Sequence, residues 1–256
     1  MKINKLLKMS VVVLAGILSL GTFTGCSKSE DVIVMGTNAT FPPFEEIQGN
    51  EIVGFDVDIS KIIAEKLGKT LKVEDMEFNQ LLGAVASGKV DFVAAGMTVD
   101  EERAKQVDFS DNYFASKQVI IVKEDNDNIV EAEDLVDKKV GVQLGTTGDI
   151  FVSGYTSEEN GGTIEVIQFD KGALAVAELS LGKIDAVVLD EEPAKKIVAN
   201  YEGVKIIEAP FINENYALAV KKGNTQLLED INEILAEIQA DGTYDALCEK
   251  YFGKTE

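Results

Sequence analysis

A chain of 256 residues with 45 Asp plus Glu against 24 Lys plus Arg carries a formal charge of −21, which opposes binding to nucleic acid or to an anionic lipid surface. It contains no histidine, so the commonest proton shuttle and metal ligand is missing, and its two cysteines fall in no metal-binding spacing. The string GTTGD lacks the Gly-Lys-Ser/Thr ending of a phosphate cradle, and adjacent acids such as Glu101 and Glu102 carry almost no information in so acidic a chain. Neither a metal, nor a cofactor, nor a catalytic residue is expected.

The first 25 residues read as a secretory signal. Lys2, Lys5 and Lys8 precede an apolar run from Val11 to Leu20, and the small residues Thr24 and Gly25 follow. That run is shorter than the roughly 20 residues that span a bilayer. Cys26 comes next, in FTGCSKSE, which resembles a bacterial lipoprotein processing site with Phe23 where the usual pattern has Leu. On this reading Cys26 is lipidated, residues 26–30 form the anchor and linker, and the protein is held at the extracytoplasmic face of a membrane. The alternatives are a plain secreted protein or a disulfide to Cys248, although Cys248 lies in an amphipathic segment where a thiol serves as a small buried hydrophobe. Loss of the three signal lysines takes the charge from −21 to −24, most simply a solubility device. The remaining 231 residues (256 minus 25) suit one two-lobed protein or two small domains.

In chain order, Asp31 to Thr37 is an apolar run leading into the loop NATFPPFEE, where Pro42 and Pro43 forbid helix. Phe55 opens a helix with Val57, Ile59, Ile62, Ile63 and Leu67 near helical spacing, stopped by Gly68. Strand Leu71 to Met76, helix Phe78 to Ala86 and strand Val90 to Ala95 follow, then extended runs at Val107 to Ser110 and Lys117 to Val122. The grammar then repeats. A helix near Ala132 to Leu135 and a strand at Lys139 to Gln143 precede a helix from about Thr147 and a polar loop from Gly154 to Gly162. Strand Ile164 to Phe169, helix Lys171 to Leu181, strand Ile184 to Leu189 and the helix EEPAKKIVAN come next, with Pro193 near the first turn. Val204 to Ile207 is a short strand, Phe211 to Val220 an extended return, and Thr225 to Ala240 and Thr243 to Tyr251 are closing helices. Strands alternating with helices predict an α/β architecture with largely parallel sheets.

Two stretches echo each other: SGKVD running into FVAAGMT from Ser87, and LGKID running into AVVLDEE from Leu181. Either the match is chance, or a similar α/β unit is built twice and the two face a shared cleft, with Gly96, Met97, Thr98 and Asp190 just beyond the carboxyl ends of strands. Arg103 is either a planar fork for a carboxylate or a surface residue on an acidic helix. Asp190 is an acceptor for an ammonium, the N-cap of the helix after it, or both. Phe41, Phe44, Phe55 and Phe78 flank loops where aromatic faces sandwich a ligand, or belong to the core.

Taken together, GTNATFPPFEE, GFDVDI, AAGMTVDEERAKQVDFSDNY, QLGTTGD, DAVVLDEEPA and DGTYDALCEKYFG resemble the polar amino-acid-binding subunits of ABC importers, bacterial solute-binding protein family 3, with the type II periplasmic-binding-protein fold. The resemblance covers essentially the whole chain after the signal. It implies two lobes, each a mixed, mostly parallel sheet flanked by helices, with hinges near Ser116 to Ile121 and Ala209 to Tyr216. Lobe 1 would be residues 31–117 plus 213–256 and lobe 2 residues 118–212. Arg103 matches the family's carboxylate-binding arginine, helped by Thr98 and by the backbone at Thr146 and Thr147. Asp190 matches the residue that holds the α-ammonium, with a carbonyl near Ala95 or Gly96 as a further acceptor. Phe41 and Phe78 match the aromatics beside the ligand side chain. Asn38, Glu45 and Gln143 would select that side chain, arginine or lysine being favoured over glutamine or cystine; Asn38 stands where some relatives carry Asp, a charge Glu45 would restore. The implied protein is a monomer that binds a free amino acid, delivers it to a permease with its ATPase, and catalyses nothing. A dehydratase-like enzyme on the same fold, and an amino-acid sensor or adhesin, are the competing readings.

Overall fold

Strands that are apolar along their whole length must be covered on both faces, and here amphipathic helices cover two separate sheets. The computed structural model describes residues 31–155 and 162–253; the signal, Cys26 and most of the polar loop at 154–162 lie outside them. The first sheet runs in space β5 (Thr70–Asp75), β1 (Val32–Thr37), β6 (Phe92–Val93), β13 (Ala219–Lys221), β7 (Val107–Phe109). β1 is parallel to β5 and β6, and β13 is antiparallel to both β6 and β7. The helix α1 (Phe55–Lys66) shares one apolar cluster with the C-terminal helices, here α7 (Thr225–Ala240) and α8 (Thr243–Phe252). A tight turn at Phe78–Gln80 and the helix α2 (Leu81–Ser87) belong to the cluster that includes Val93 and Ala219.

The second sheet runs β10 (Glu165–Phe169), β9 (Lys139–Gln143), β11 (Ala186–Asp190), β8 (Phe114–Lys123), β12 (Val204–Tyr216). Its first three strands are parallel, and β8 is antiparallel to β11 and β12. Val152 of α4 (Thr147–Gly154) packs in one cluster, with Val140, Val142 and Val188. Leu179 of α5 (Gly172–Ser180) and Ile197 of α6 (Glu191–Val198) pack in another, with Val187 and Leu189. The four-residue α3 (Glu101–Ala104) lies between β6 and β7 in sequence. The fold is thus the two-lobed α/β arrangement expected, and no helix among the described residues is long and apolar enough to cross a membrane.

The echo between the two halves is structural. In each copy a left-handed glycine, Gly88 (φ 78°) or Gly182 (φ 69°), ends the preceding helix. The Asp that follows then clips a neighbouring strand, earlier in the chain, twice. Asp91 N donates to Val34 O at 2.8 Å while its Oδ2 accepts from Val34 N at 2.7 Å; Asp185 repeats both bonds with Lys139, each at 2.8 Å.

Two sequence expectations are corrected. The loop after Asn38 folds into a small antiparallel sheet of β2 (Thr40–Phe41), β3 (Glu45–Gln48) and β4 (Glu51–Val53), because Gly49 at φ 64° allows a two-residue Gly-Asn turn. The return strand expected over Phe211 to Val220 breaks: residues from Val204 to Tyr216 form one strand with a register shift between Ile207 and Ile212, and Ala219 starts again in the other sheet. The chain crosses between sheets there and between β7 and β8. Where it crosses, residues 114–118 pair with 212–216. An aromatic cluster backs this ribbon, with Phe114 against Phe252 at 4.7 Å, Phe44 at 5.0 Å and Tyr216 at 5.9 Å between ring centroids.

Candidate functional site

Residues just past the carboxyl ends of β1, β6, β9 and β11 line one narrow slot between the lobes: Asn38, Gly96, Thr98, Gln143, Thr146, Thr147 and Asp190. Phe41, Phe78 and Arg103 complete its wall. It encloses about 280 Å³ up to its open mouth, of which only about 10 Å³ is wide enough to pass the centre of a water molecule. The walls are therefore close to contact.

Arg103 sits on α3 and is buried, so it is not a surface residue of an acidic helix. Asp100 caps that helix by accepting from Arg103 N at 2.8 Å and also pairs with Arg103 Nε at 3.0 Å. Arg103 Nη1 donates to Thr98 O at 2.8 Å, and Nη2 reaches across the slot to Gly145 O at 3.0 Å. The guanidinium stands 5.6 Å from the centre of the Phe78 ring. Burial draws its pKa down and Asp100, Glu214 and Asp190 hold it up, so it stays cationic. A guanidinium has five N–H groups; two make these carbonyl bonds, and Nε is held against Asp100 as an ion pair.

Asp190 closes β11 on the other lobe and occupies the N-cap position of α6, yet its side chain makes no capping bond. It is turned instead to the hydroxyl of Tyr216, which also meets Ser116 Oγ at 3.0 Å. Burial, and after it the adjacent Glu214 carboxylate, pushes Asp190 well above the usual carboxyl range. Around the one guanidinium stand three carboxyl groups, Asp100, Asp190 and Glu214, so the slot is short of positive charge.

Asn38 and Gln143 meet across the slot, Gln143 Nε2 donating to Asn38 Oδ1 at 3.0 Å, while Asn38 Nδ2 donates to Met76 O at 2.9 Å. Gly96 carries φ 53°, and a Cβ there would lie 2.7 Å from Phe41 Cε1; only glycine lets that ring close the slot. The hydroxyl of Thr98 is directed to Glu214 Oε2 at 3.1 Å, so Thr98 positions the charged groups as well as lining the slot.

Two expected residues do not line the slot. Glu45 is fully buried behind Phe41, its pairing partner on β2, with Asp56 as its neighbour; burial, Asp56 and Asp75 all drive it toward the neutral acid. Ala95 is likewise buried one residue short of the wall. Phe44 and Phe55 are core, each fully buried in the aromatic cluster. Three residues beside the slot escaped the sequence reading: Gln118, Glu214 and Tyr216, on the strands that carry the crossing. The signal was there in FINENYALAV, where period-2 alternation puts Glu214 on the same face as the inward aromatic Tyr216.

A pair of α/β lobes, crossed twice by the chain and lending charged and aromatic groups to one slot, defines a solute-binding protein. The chain belongs to the bacterial extracellular solute-binding proteins, family 3, which it matches over residues 33–254. It is 33% identical over 238 residues to the arginine-binding extracellular protein ArtP of Bacillus subtilis (strain 168), covering 90% of this chain and 89% of that one. Among solved structures it is similar to a mutant of ArgBP from T. maritima, with 46% identity, a TM-score of 0.82, and 89% and 97% of the two chains covered. An ancestral arginine-binding protein, solved with arginine and with glutamine, is 47% identical with a TM-score of 0.81 over 87% of this chain and 98% of its own.

Proposed function

We propose that the chain is the extracytoplasmic solute-binding subunit of an ABC importer, which captures a polar L-amino acid by lobe closure and presents it to a membrane permease. Arginine or lysine is the favoured ligand, ahead of glutamine or cystine. The observation that carries this reading is the convergence of a buried guanidinium and a buried carboxyl group, one from each lobe, on a single slot.

The two remaining N–H groups of Arg103 take the ligand carboxylate, assisted by the first-turn amides of α4 at Thr146 and Thr147, where the helix dipole favours an anion. Asp190 and the carbonyl of Gly96 take the α-ammonium, which supplies the cation the slot is short of. Phe41 and Phe78 flank the side chain, and its far end parts Asn38 from Gln143. Because Glu45 stands off the slot, selectivity falls to those two amides, and likeness to arginine-binding relatives supports the basic preference. Each charge-assisted bond contributes about 1.5 to 3 kcal/mol, so a few reach the roughly −8 kcal/mol of micromolar binding after entropic costs.

Lobe 1 comprises residues 31–117 plus 213–256 and lobe 2 residues 118–212, the hinge lying in the paired ribbon of residues 114–118 and 212–216. The first 25 residues are a signal, and lipid on Cys26 tethers a monomer that performs no catalysis. The function is tested by thermal shift with each of the twenty L-amino acids and cystine. A ligand at a hundred times its Kd adds about 2.7 kcal/mol, a rise in Tm of about 5 to 10 °C for a chain this size. No shift with any of them contradicts the reading.

A further inference from the structure

We infer that Asp190 carries a proton in the ligand-free slot and presents it to Glu214, and that a bound amino acid drives this proton into solution as its ammonium replaces it. This rests on the proposal that Asp190 receives the α-ammonium, and it assigns a role to Glu214.

The two carboxyl groups come from the strands on either side of β8. Asp190 on β11 is in register with Gln118, and Glu214 on β12 with Ser116. Polar side chains of the crossing ribbon bind both of them in place: Gln118 Nε2 donates to Glu214 Oε2 at 3.2 Å, and the Tyr216 hydroxyl bridges Asp190 and Ser116. Both acids are only 3% exposed. Glu214 Oε1 is shut off from water and receives no hydrogen bond, although the Asp190 carboxyl is its neighbour. Two carboxylates cannot bond to each other. A single proton turns one of them into a donor, satisfies Glu214 Oε1 and removes a like-charge contact out of water.

The surrounding charges leave room for that proton. Among the described residues Arg103 is the cation facing the pair, and it is also engaged by Asp100 at 3.0 Å. Lys117, on β8 itself, is turned to Glu191 on α6 at 3.2 Å. Tyr216 faces the pair as a neutral phenol, and Tyr113 behind it is held by Asp56. An arriving ammonium brings three N–H donors and a full positive charge, so both acids then stay ionised. The only bond broken is the carboxyl O–H, and the proton passes to the buffer.

Calorimetric titration with L-arginine, in acetate and in Mes near about pH 5 to 6 and in phosphate and in Tris near about pH 7 to 8, reads the proton directly, because the measured heat then includes the buffer's own ionisation. The expected result is release approaching one proton per arginine over the range in which the pair is protonated, with affinity rising up to tenfold per pH unit there. Glu214→Gln keeps the shape but donates an N–H to Asp190, and is expected to equalise the heats in the two buffers and flatten the pH profile. Arginine binding whose heat is the same in both buffers at every pH overturns the proposal, and needs no variant. Proton release by Glu214→Gln equal to that of the wild type overturns it as well. If the folded protein binds neither arginine nor any other amino acid, the function proposed above falls, and this inference with it.

Discussion

Asp56 lies outside the slot yet bears on it, because its carboxyl accepts from Gly96 N at 2.8 Å and from the Tyr113 hydroxyl at 2.7 Å. Burial pushes its pKa up to about 7, against the bonds from Gly96, Tyr113 and Glu45 that pull it down. An unfolded Asp titrates near about 3.9, so between that value and the folded one the native state holds the extra proton. Stability from this group is then complete below the unfolded pKa and is lost as pH rises through about 7. Glu45 and Asp190, also raised by burial, act with the same sign. Ligand-free protein is therefore expected to lose stability from about pH 5 to 8, by up to a few kcal/mol in urea denaturation, with Asp56→Asn flattening the slope. Stability that holds or rises over that range contradicts this account of the buried acids. Tyr216→Phe removes the hydroxyl from Asp190 and Ser116 and is expected to cost about 1 to 3 kcal/mol by the same measurement.

The paired Asp clips show how far local sequence determines an element. Asp91 and Asp185 each tie a turn to the start of a neighbouring strand with the same two bonds, so Asp91→Ala and Asp185→Ala are both expected to cost about 1 kcal/mol in denaturation. Unequal losses would mean the two copies do different structural jobs. Gly145 matters differently: its φ is 81°, and a Cβ there would meet Asn79 Cβ at 3.1 Å across the closed lobes. Gly145→Ala is expected to destabilise by about 1 kcal/mol through backbone strain and to weaken ligand affinity several-fold by obstructing closure. The helices with clear periodicity and Gly stops, α1 and α7 above all, were legible from the sequence, as were the strands β9 and β10. The hairpin of β3 and β4 was not, because its strands are too short to show a period. The break between Tyr216 and Ala219 was hidden because an apolar alternation runs straight through it while the chain changes sheets. Arg103 and Asp190 stood out because they end recognisable strings. Glu214, Gln118 and Tyr216 did not, since what marks them is burial against a strand remote in sequence. Glu45 read as a selector of the ligand side chain because the loop before it conceals that β3 carries it into the core.

Two five-stranded sheets are joined by one paired ribbon, with the small sheet of β2, β3 and β4 beside the slot, and direct polar bonds cross the slot between them. Arg103 to Gly145 and Gln143 to Asn38 span the slot, and the ribbon with its aromatic backing is where the proposed closure would pivot. The central claim is that opposed charges, one per lobe, grip the head group of a free amino acid. Calorimetry of L-arginine binding to the wild type, Arg103→Ala and Asp190→Ala tests it most directly. Each substitution is predicted to weaken binding by about 1.5 to 3 kcal/mol, roughly ten- to more than a hundredfold, while the protein remains folded. Wild-type affinity in both folded variants would contradict the account.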